Sequence, residues 1–420
     1  MYPARRLEFD SVVVRRLFWW SFGIRFGAGF LGWILTVGLG LPFLQDAFYY
    51  ERIGSGIAED WMAGRSSWWL ESAMAGNHLP WIMPFVIAVF YFVMGGVRAV
   101  PLLMAAVCLF SAITPVLVFK TAREAGLTQA GALFSARLVA FSPAFAFWSG
   151  ALYKEGLILL FLSLGMYHVT RLQQRWSWVS LAAVVGSVGG LLGLRFYMAL
   201  MMGAVLFVGL VFGRTVSGTD PVKTFLRQFI ILAVVAVVVV QLGLGDRLER
   251  ILPTSLGETL RTIDNSRRDL AQTGASGFAA DVDLRTPEGV LSFLPVGVSY
   301  FLFAPMPWQF GEMRQNLAIP ETVVWSVIFY PLIVAGVARG IRRNPQVSVL
   351  LFAAIATITL LYSVFAGNIG TIFRMRIQMW LFASIFAGWG WERLKEVKTE
   401  PVRSRSIVRS AIPVGAGQQR

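Results

Sequence analysis

The chain has 420 residues, of which 56% are hydrophobic and only 14% charged, with a formal net charge of +14. That balance excludes a soluble globular core and belongs to a polytopic membrane protein. The positive excess needs no nucleic-acid partner, because basic loops retained on the cytoplasmic side and drawn to membrane lipids account for it. The one cysteine, Cys108, lies in an apolar run, which excludes an intramolecular disulfide and suggests neither a cysteine metal cluster nor redox chemistry.

The first apolar run, Leu17 to Gly40, follows Arg5, Arg6, Arg15 and Arg16. It is longer than the apolar core of a secretory signal and lacks a small-residue cleavage site, so it reads as a retained membrane helix. Just beyond it stands Asp46, in Gln45-Asp46-Ala47-Phe48-Tyr49-Tyr50-Glu51. The outer loop that begins there, 42–97, mixes acids with aromatics (Glu51, Glu59, Asp60, Trp61, Trp68, Trp69, Glu71, His78) and suits short helices lying in the interface. Within it, 80–96 is apolar and enters the membrane without crossing.

Further helices are expected at 98–119, 130–150, 156–170, 177–194, 196–213 and 228–244. Tyr153-Lys154-Glu155 interrupts what would otherwise be one long apolar stretch, and Arg195 closes the helix before Phe196-Tyr197. A second outer segment, 245–320, starts polar at Asp246-Arg247-Leu248-Glu249-Arg250 and contains another embedded stretch, 289–305. Helices at 321–338, 347–365 and 376–391 complete the membrane part, with Arg374 and Arg376 following Gly367-Asn368-Ile369-Gly370-Thr371. The expected fold is all-α: one domain over 1–400 with ten crossings and two embedded segments, then a disordered basic tail, 401–420.

Basic loops set the orientation. This threading gathers the N-terminus, Lys120 and Arg123, Arg171 and Arg175, Arg214 to Arg227, Arg339 to Arg343 and the tail on one side, so both termini are expected in the cytoplasm and the protein in the plasma (inner) membrane. Acidic residues played no part in building it, and only seven of the 23 fall inside, leaving 16 on the outer side. Carrying 80–96 and 289–305 across as well gives the alternative of twelve crossings.

Three candidate sites then share the outer face: Asp46, with Glu51 five residues on and His78 in the same loop; Lys154-Glu155; and the arginines Arg195, Arg374 and Arg376. An ion at a membrane helix end is costly unless it meets a cavity or a partner, which makes each a functional candidate. Each has a plainer reading. Asp46 alone is most simply a helix cap, Lys154 and Glu155 a mutual pair at a tight turn, each arginine a side chain snorkelling to headgroups, and His78 structural. The run Gly186-Ser187-Val188-Gly189-Gly190-Leu191-Leu192-Gly193 reads as helix packing rather than a phosphate loop.

The order of these elements resembles the GT-C superfamily of membrane glycosyltransferases, which includes protein O-mannosyltransferases and the lipid A aminoarabinose transferase. The likeness rests on an aspartate opening the first outer loop, an embedded segment led by Leu79-Pro80-Trp81, a helix led by Arg98, and the Ser142-Pro143 helix leading to an acidic residue in the next outer loop. It covers about the first 170 residues. The chain departs from the family pattern where Ala47 follows Asp46 in place of a neighbouring acid, and where Lys154-Glu155-Gly156 stands for Asp-Pro or Asp-Asn-Glu. The resemblance implies a sugar donor on a polyprenyl phosphate, used on the outer face with inversion; the departures leave open whether a divalent metal takes part.

The residue types suit that chemistry on their own terms. Glycosyl transfer needs a base for the acceptor hydroxyl, for which Asp46 is the candidate, and positive charge for the departing phosphate, for which Arg195, Arg374, Arg376 and Lys154 are candidates. Glu155 would orient the acceptor or hold Lys154. The acceptor is a glycan, lipid or protein, in envelope or surface polysaccharide assembly. Two other readings are an O-antigen-type polymerase or ligase, told apart by a donor on a diphosphate, and a transporter or flippase, which would favour inverted halves and paired broken helices that the sequence does not display.

Overall fold

The structure is a computed structural model of the chain; it describes residues 3–74, 81–174, 176–212, 256–274 and 276–399, with scattered positions between 222 and 237. Among the described residues it is all-α, the one β feature being an isolated bridge between Gly277 and Asn368.

The chain starts with α1 (Pro3–Leu39), which begins fourteen residues earlier than the apolar run that marks it in sequence. It exposes Trp19, Trp20, Leu31 and Val37, the surface expected of a helix whose solvent is hydrocarbon. The loop that follows holds α2 (Gln45–Met62), α3 (Trp68–Met74) and α4 (Ile82–Val93). At twelve residues α4 is about 18 Å long, too short to cross a bilayer core of about 30 Å. Next come α5 (Val100–Ser111) and α6 (Ile113–Glu124), together one apolar span, then α7 (Gln129–Phe141) and α8 (Pro143–Gly150), a pair bent by 56°. Pro143 causes the break: it lacks an N–H and drives Ser142 out of the helical region, to ψ 128°.

The sequence separates α9 (Glu155–Gln174) from α10 (Trp178–Phe212), and α10 is itself interrupted at Arg195, whose backbone is extended (φ −164°, ψ 90°). The chain doubles back there. A Cβ added at Gly165 of α9 would touch both Ser187 and Met202, fifteen residues that an unbroken helix would hold about 22 Å apart. The separate helices expected at 177–194 and 196–213 are therefore the two limbs of α10. The helix expected at 228–244 lies outside the described residues.

The second half comprises α11 (Leu256–Thr273), α12 (Pro287–Phe303), α13 (Met313–Val324), a π-helical turn (Trp325–Phe329), α14 (Tyr330–Arg343), α15 (Pro345–Phe365) and α16 (Ile369–Thr399). α13, the π turn and α14 form one continuous span from Met313 to Arg343, eight residues longer at its start than expected. α16 is the central helix of the core: Trp380, Phe382, Phe386 and Trp389 are fully buried, and Trp380 stacks on Trp325 with ring centres 4.1 Å apart.

Without a hydrophobic driving force between helices in lipid, close packing must come from small residues. The tightest case joins α1 to α8, where Gly29 and Gly150 meet backbone to backbone and a Cβ on either would run into the other helix. We predict that Gly29→Ala forces the two helices apart and destabilises the protein by about 1–3 kcal/mol, read as a lowered thermal midpoint in detergent. An unchanged midpoint would show that the contact is not tight. Arg25, fully buried one turn earlier, donates to the Val139 carbonyl at 3.1 Å and to the Ser21 hydroxyl, tying α1 to the end of α7.

Candidate functional site

Four elements bring their ends to one surface of the bundle. α1 ends at Leu39, and Asp46 sits in the first turn of α2; α8 ends at Gly150, and Lys154 leads into Glu155 at the first turn of α9. The α10 reversal places Arg195 there, and α16 contributes Arg374 in its second turn. The two acidic loops are joined directly, since the buried Tyr153 hydroxyl donates to the Phe43 carbonyl at 2.6 Å.

Glu155 is the centre. It is completely buried and lies between two guanidinium groups. Arg374 grips it at two points, Nη2 to Oε2 at 2.8 Å and Nε to Oε1 at 2.7 Å, while Arg195 Nη2 donates to Oε1 at 3.0 Å. The remaining Nη1 of Arg374 reaches Asp46 Oδ2 at 2.5 Å. Arg374 thus bridges the carboxylates of both loops, and it is fixed in place between the rings of Trp148 and Tyr153, 5.2 and 4.9 Å from their centres. The exposures differ sharply. Glu155 has no accessible side-chain surface, whereas Asp46 keeps 52% of its own.

Arg195 is held from the other side by groups that carry no charge. Its Nη1 donates to the Tyr362 hydroxyl at 3.1 Å and contacts the Met375 sulfur; Tyr362 in turn donates to Gln378 Oε1 at 3.0 Å. Beside this network lies a cleft of about 180 Å³ bounded by Arg195, Tyr197, Ser266, Tyr362 and Thr371. α11 closes it. That helix is held over α16 by the Gly277 and Asn368 bridge, in which Phe278 N donates to Gly367 O and Ile369 N to Ser276 O, each at 3.0 Å. Arg267, fully buried, supports the same loop through the carbonyls of Ala279 and Val282.

Lys154 does not pair with Glu155, whose oxygens are taken by the arginines. Its ammonium lies instead above the Tyr50 ring, 6.0 Å from the centre. Burial, with the positive charge of Arg195 beside it, pushes the Lys154 ammonium down to about 7.

The structure therefore brings Asp46, Lys154, Glu155, Arg195 and Arg374 together, and it separates the other candidates from them. Arg376 points away. Two residues on in a helix is roughly 200° of rotation, so when Arg374 faces the acids Arg376 must face the opposite side. There it is fully buried against the end of α12, donating to the carbonyls of Tyr300, Phe301 and Ala304, of which Tyr300 also accepts from Ala304 N at 2.9 Å. Glu51, five residues beyond Asp46 in α2, also faces elsewhere: it accepts from the Tyr91 hydroxyl at 3.1 Å and pairs with Arg98 at 3.4 Å. His78 lies outside the described residues. Tyr362 and Gln378 join the network without being candidates in the sequence, and Tyr153, noted there only as part of the Tyr153-Lys154-Glu155 interruption, joins it as well.

Among the described residues no group of three or more His, Cys, Asp and Glu side chains is placed to hold a metal ion. The two carboxylates of the cluster are engaged by guanidinium groups.

No protein-family model matches the chain, and no curated protein matches it. Among solved structures, the archaeal oligosaccharyltransferase AglB from Archaeoglobus fulgidus, in a complex with an inhibitory peptide and a dolichol-phosphate, aligns with 93% of this chain at a TM-score of 0.55 and 11% identity. The chain spans about half the length of that protein, covering 51% of it. At such low identity the likeness concerns the fold alone.

Proposed function

We propose that the protein is a glycosyltransferase that moves a sugar from a polyprenyl-phosphate donor to a glycan, lipid or protein acceptor on the outer face of the membrane, with inversion. The observation that carries this reading is the linked set Asp46, Arg374, Glu155 and Arg195 at one membrane surface of a GT-C-like fold. The oligosaccharyltransferase of similar architecture binds a dolichol-phosphate and a peptide, consistent with a lipid-linked donor and a separate acceptor here.

In this mechanism the acceptor oxygen attacks the anomeric carbon from the side opposite the phosphate. The bond from that carbon to the phosphate oxygen breaks, its electron pair leaves with the polyprenyl phosphate, and the acceptor proton passes to Asp46. Half-exposed Asp46 is open to an incoming hydroxyl. Buried Glu155 holds the arginines rather than touching substrate. Arg374 and Arg195 are already matched by carboxylate or phenol, so the positive charge free to meet the departing phosphate is that of Lys154.

A labelled polyprenyl-phosphate sugar supplied to membranes containing the protein tests the reading. Transfer to an endogenous acceptor, abolished by Asp46→Asn, is expected; uptake of label without covalent transfer would replace the reading with that of a transporter.

The position of Lys154 adds a pH dependence. A lysine is charged below its pKa, here about 7, so the phosphate meets a full charge in mild acid and a neutral amine in mild base. We predict that KM for the donor rises about three- to tenfold between pH 7 and pH 8.5, and that Lys154→Arg, which stays charged throughout, flattens the rise. A wild-type profile as flat as that of Lys154→Arg would remove Lys154 from phosphate binding.

A further inference from the structure

At the end of α8 far from Trp148 lies a cavity of about 420 Å³, bounded by Arg137, Phe141, Pro143, Leu317, Glu321 and Phe329 among others. Its size is within the range of about 300–1,000 Å³ found for ligand pockets. It is built into the chain rather than left by loose packing. Pro143 bends α7 away from α8 by 56°, and opposite that break the facing span carries Pro320 and then the π turn 325–329. Both features are established causes of helix deviation.

The cavity's shape is that of a slot. Its lining runs from Leu317 to Phe329, twelve residues or about 18 Å of helix, the length of an acyl chain. The slot is open sideways, since Phe141, Leu317 and Val324 are all exposed, and in this protein an exposed apolar surface in a spanning segment faces lipid.

Its two charged residues differ in what they lack. Glu321 is satisfied: its oxygens accept from the Ser142 hydroxyl and from Ala144 N at 2.8 Å, which covers the bare start of α8. Arg137 is exposed, and among the described residues it has neither an ion pair nor a hydrogen bond. It stands eight residues, about 12 Å, into α7 from the end opposite the Asp46 surface, within snorkelling reach of that far interface. An arginine in an apolar span without a counter-charge calls for an anion there.

We propose that this slot binds an anionic phospholipid of the bilayer, one acyl chain lying between α7, α8 and α13 and the phosphate resting on Arg137. The lipid enters from the leaflet opposite Asp46, which separates it from the site of sugar transfer.

The test uses the full-length protein in mild detergent, with native mass spectrometry to count bound lipid as phosphatidylglycerol or phosphatidylcholine is added. Wild type should retain one phosphatidylglycerol at least tenfold more tightly than phosphatidylcholine. Arg137→Gln should lose that preference, and Val324→Trp, which fills the slot while leaving the arginine in place, should lose the bound lipid. Thermal midpoints without added lipid report whether each variant is folded, and phosphatidylglycerol should raise the midpoint of wild type alone. Equal retention of phosphatidylglycerol by wild type and a folded Arg137→Gln overturns the proposal. So does displacement of the lipid by a lower concentration of polyprenyl phosphate, which would assign the slot to a donor tail.

Discussion

Asp46→Asn is expected to lower the rate of sugar transfer by about 10²–10⁴-fold, the range over which a positioned general base contributes, while leaving the folded protein intact. The contrast follows from where the side chain sits. Asparagine has the shape of aspartate and can still accept from Arg374, but it cannot take up a proton at neutral pH. Asp46 is about half exposed and its partner Arg374 is separately anchored by Glu155 and two aromatic rings, so loss of its charge should change stability by no more than about 1 kcal/mol. The measurement is transfer from a lipid-linked donor in membranes, normalised to protein amount, together with a thermal midpoint. Full activity in Asp46→Asn would end its assignment as base, and a large fall in the midpoint would make its role structural.

Glu155→Gln should do the reverse in order of cause: it should first damage the structure, and through that the activity. Its carboxylate is the anion facing both Arg195 and Arg374 in the interior. Neutralising it leaves two guanidinium groups buried with one half-exposed aspartate, which meets Arg374 alone, and breaking a buried pair in this way costs about 3–5 kcal/mol. Arg374 would no longer be held at the distance that reaches Asp46, so transfer should fall with stability. Glu155→Asp, which keeps the charge but shortens the reach, should recover part of the midpoint. A stable Glu155→Gln protein with normal transfer would mean that the cluster does not depend on its central anion. The pair of experiments also separates two roles that look alike in sequence: Asp46 and Glu155 are both acids following an apolar run, but one is open to substrate and the other is closed off.

Some of this was legible from the chain alone. Composition and the length of apolar runs marked an all-α membrane fold, because in hydrocarbon every backbone group must bond within its own helix. The helix at 347–365 and the two limbs around Arg195 fall where apolar runs and charged ends put them, whereas 130–150 is divided into α7 and α8. The break at Ser142-Pro143 departs from the sequence expectation of one helix over 130–150, although a proline inside a helical run has that local effect wherever it stands. Asp46, Lys154, Glu155, Arg195 and Arg374 could be chosen because ions at membrane helix ends are costly and therefore conspicuous.

Other features depended on tertiary geometry. Arg374 and Arg376 look equivalent as neighbours in sequence, yet helical rotation sends one to the acids and the other to the carbonyls ending α12. Lys154 and Glu155 look like a pair, yet two arginines from distant helices claim the carboxylate and leave the lysine over Tyr50. Tyr362 supports Arg195 from 167 positions away, and Glu321 caps α8 across 177; neither is distinguishable from its neighbours until the helices are packed. The sequence by itself determined that the chain is all-α with several long apolar helices and which charged residues interrupt its apolar runs, because both follow from local hydrophobicity and the cost of burying an ion. Which charges meet was decided by the tertiary structure alone, because pairing depends on helix rotation and on contacts between residues far apart in the chain.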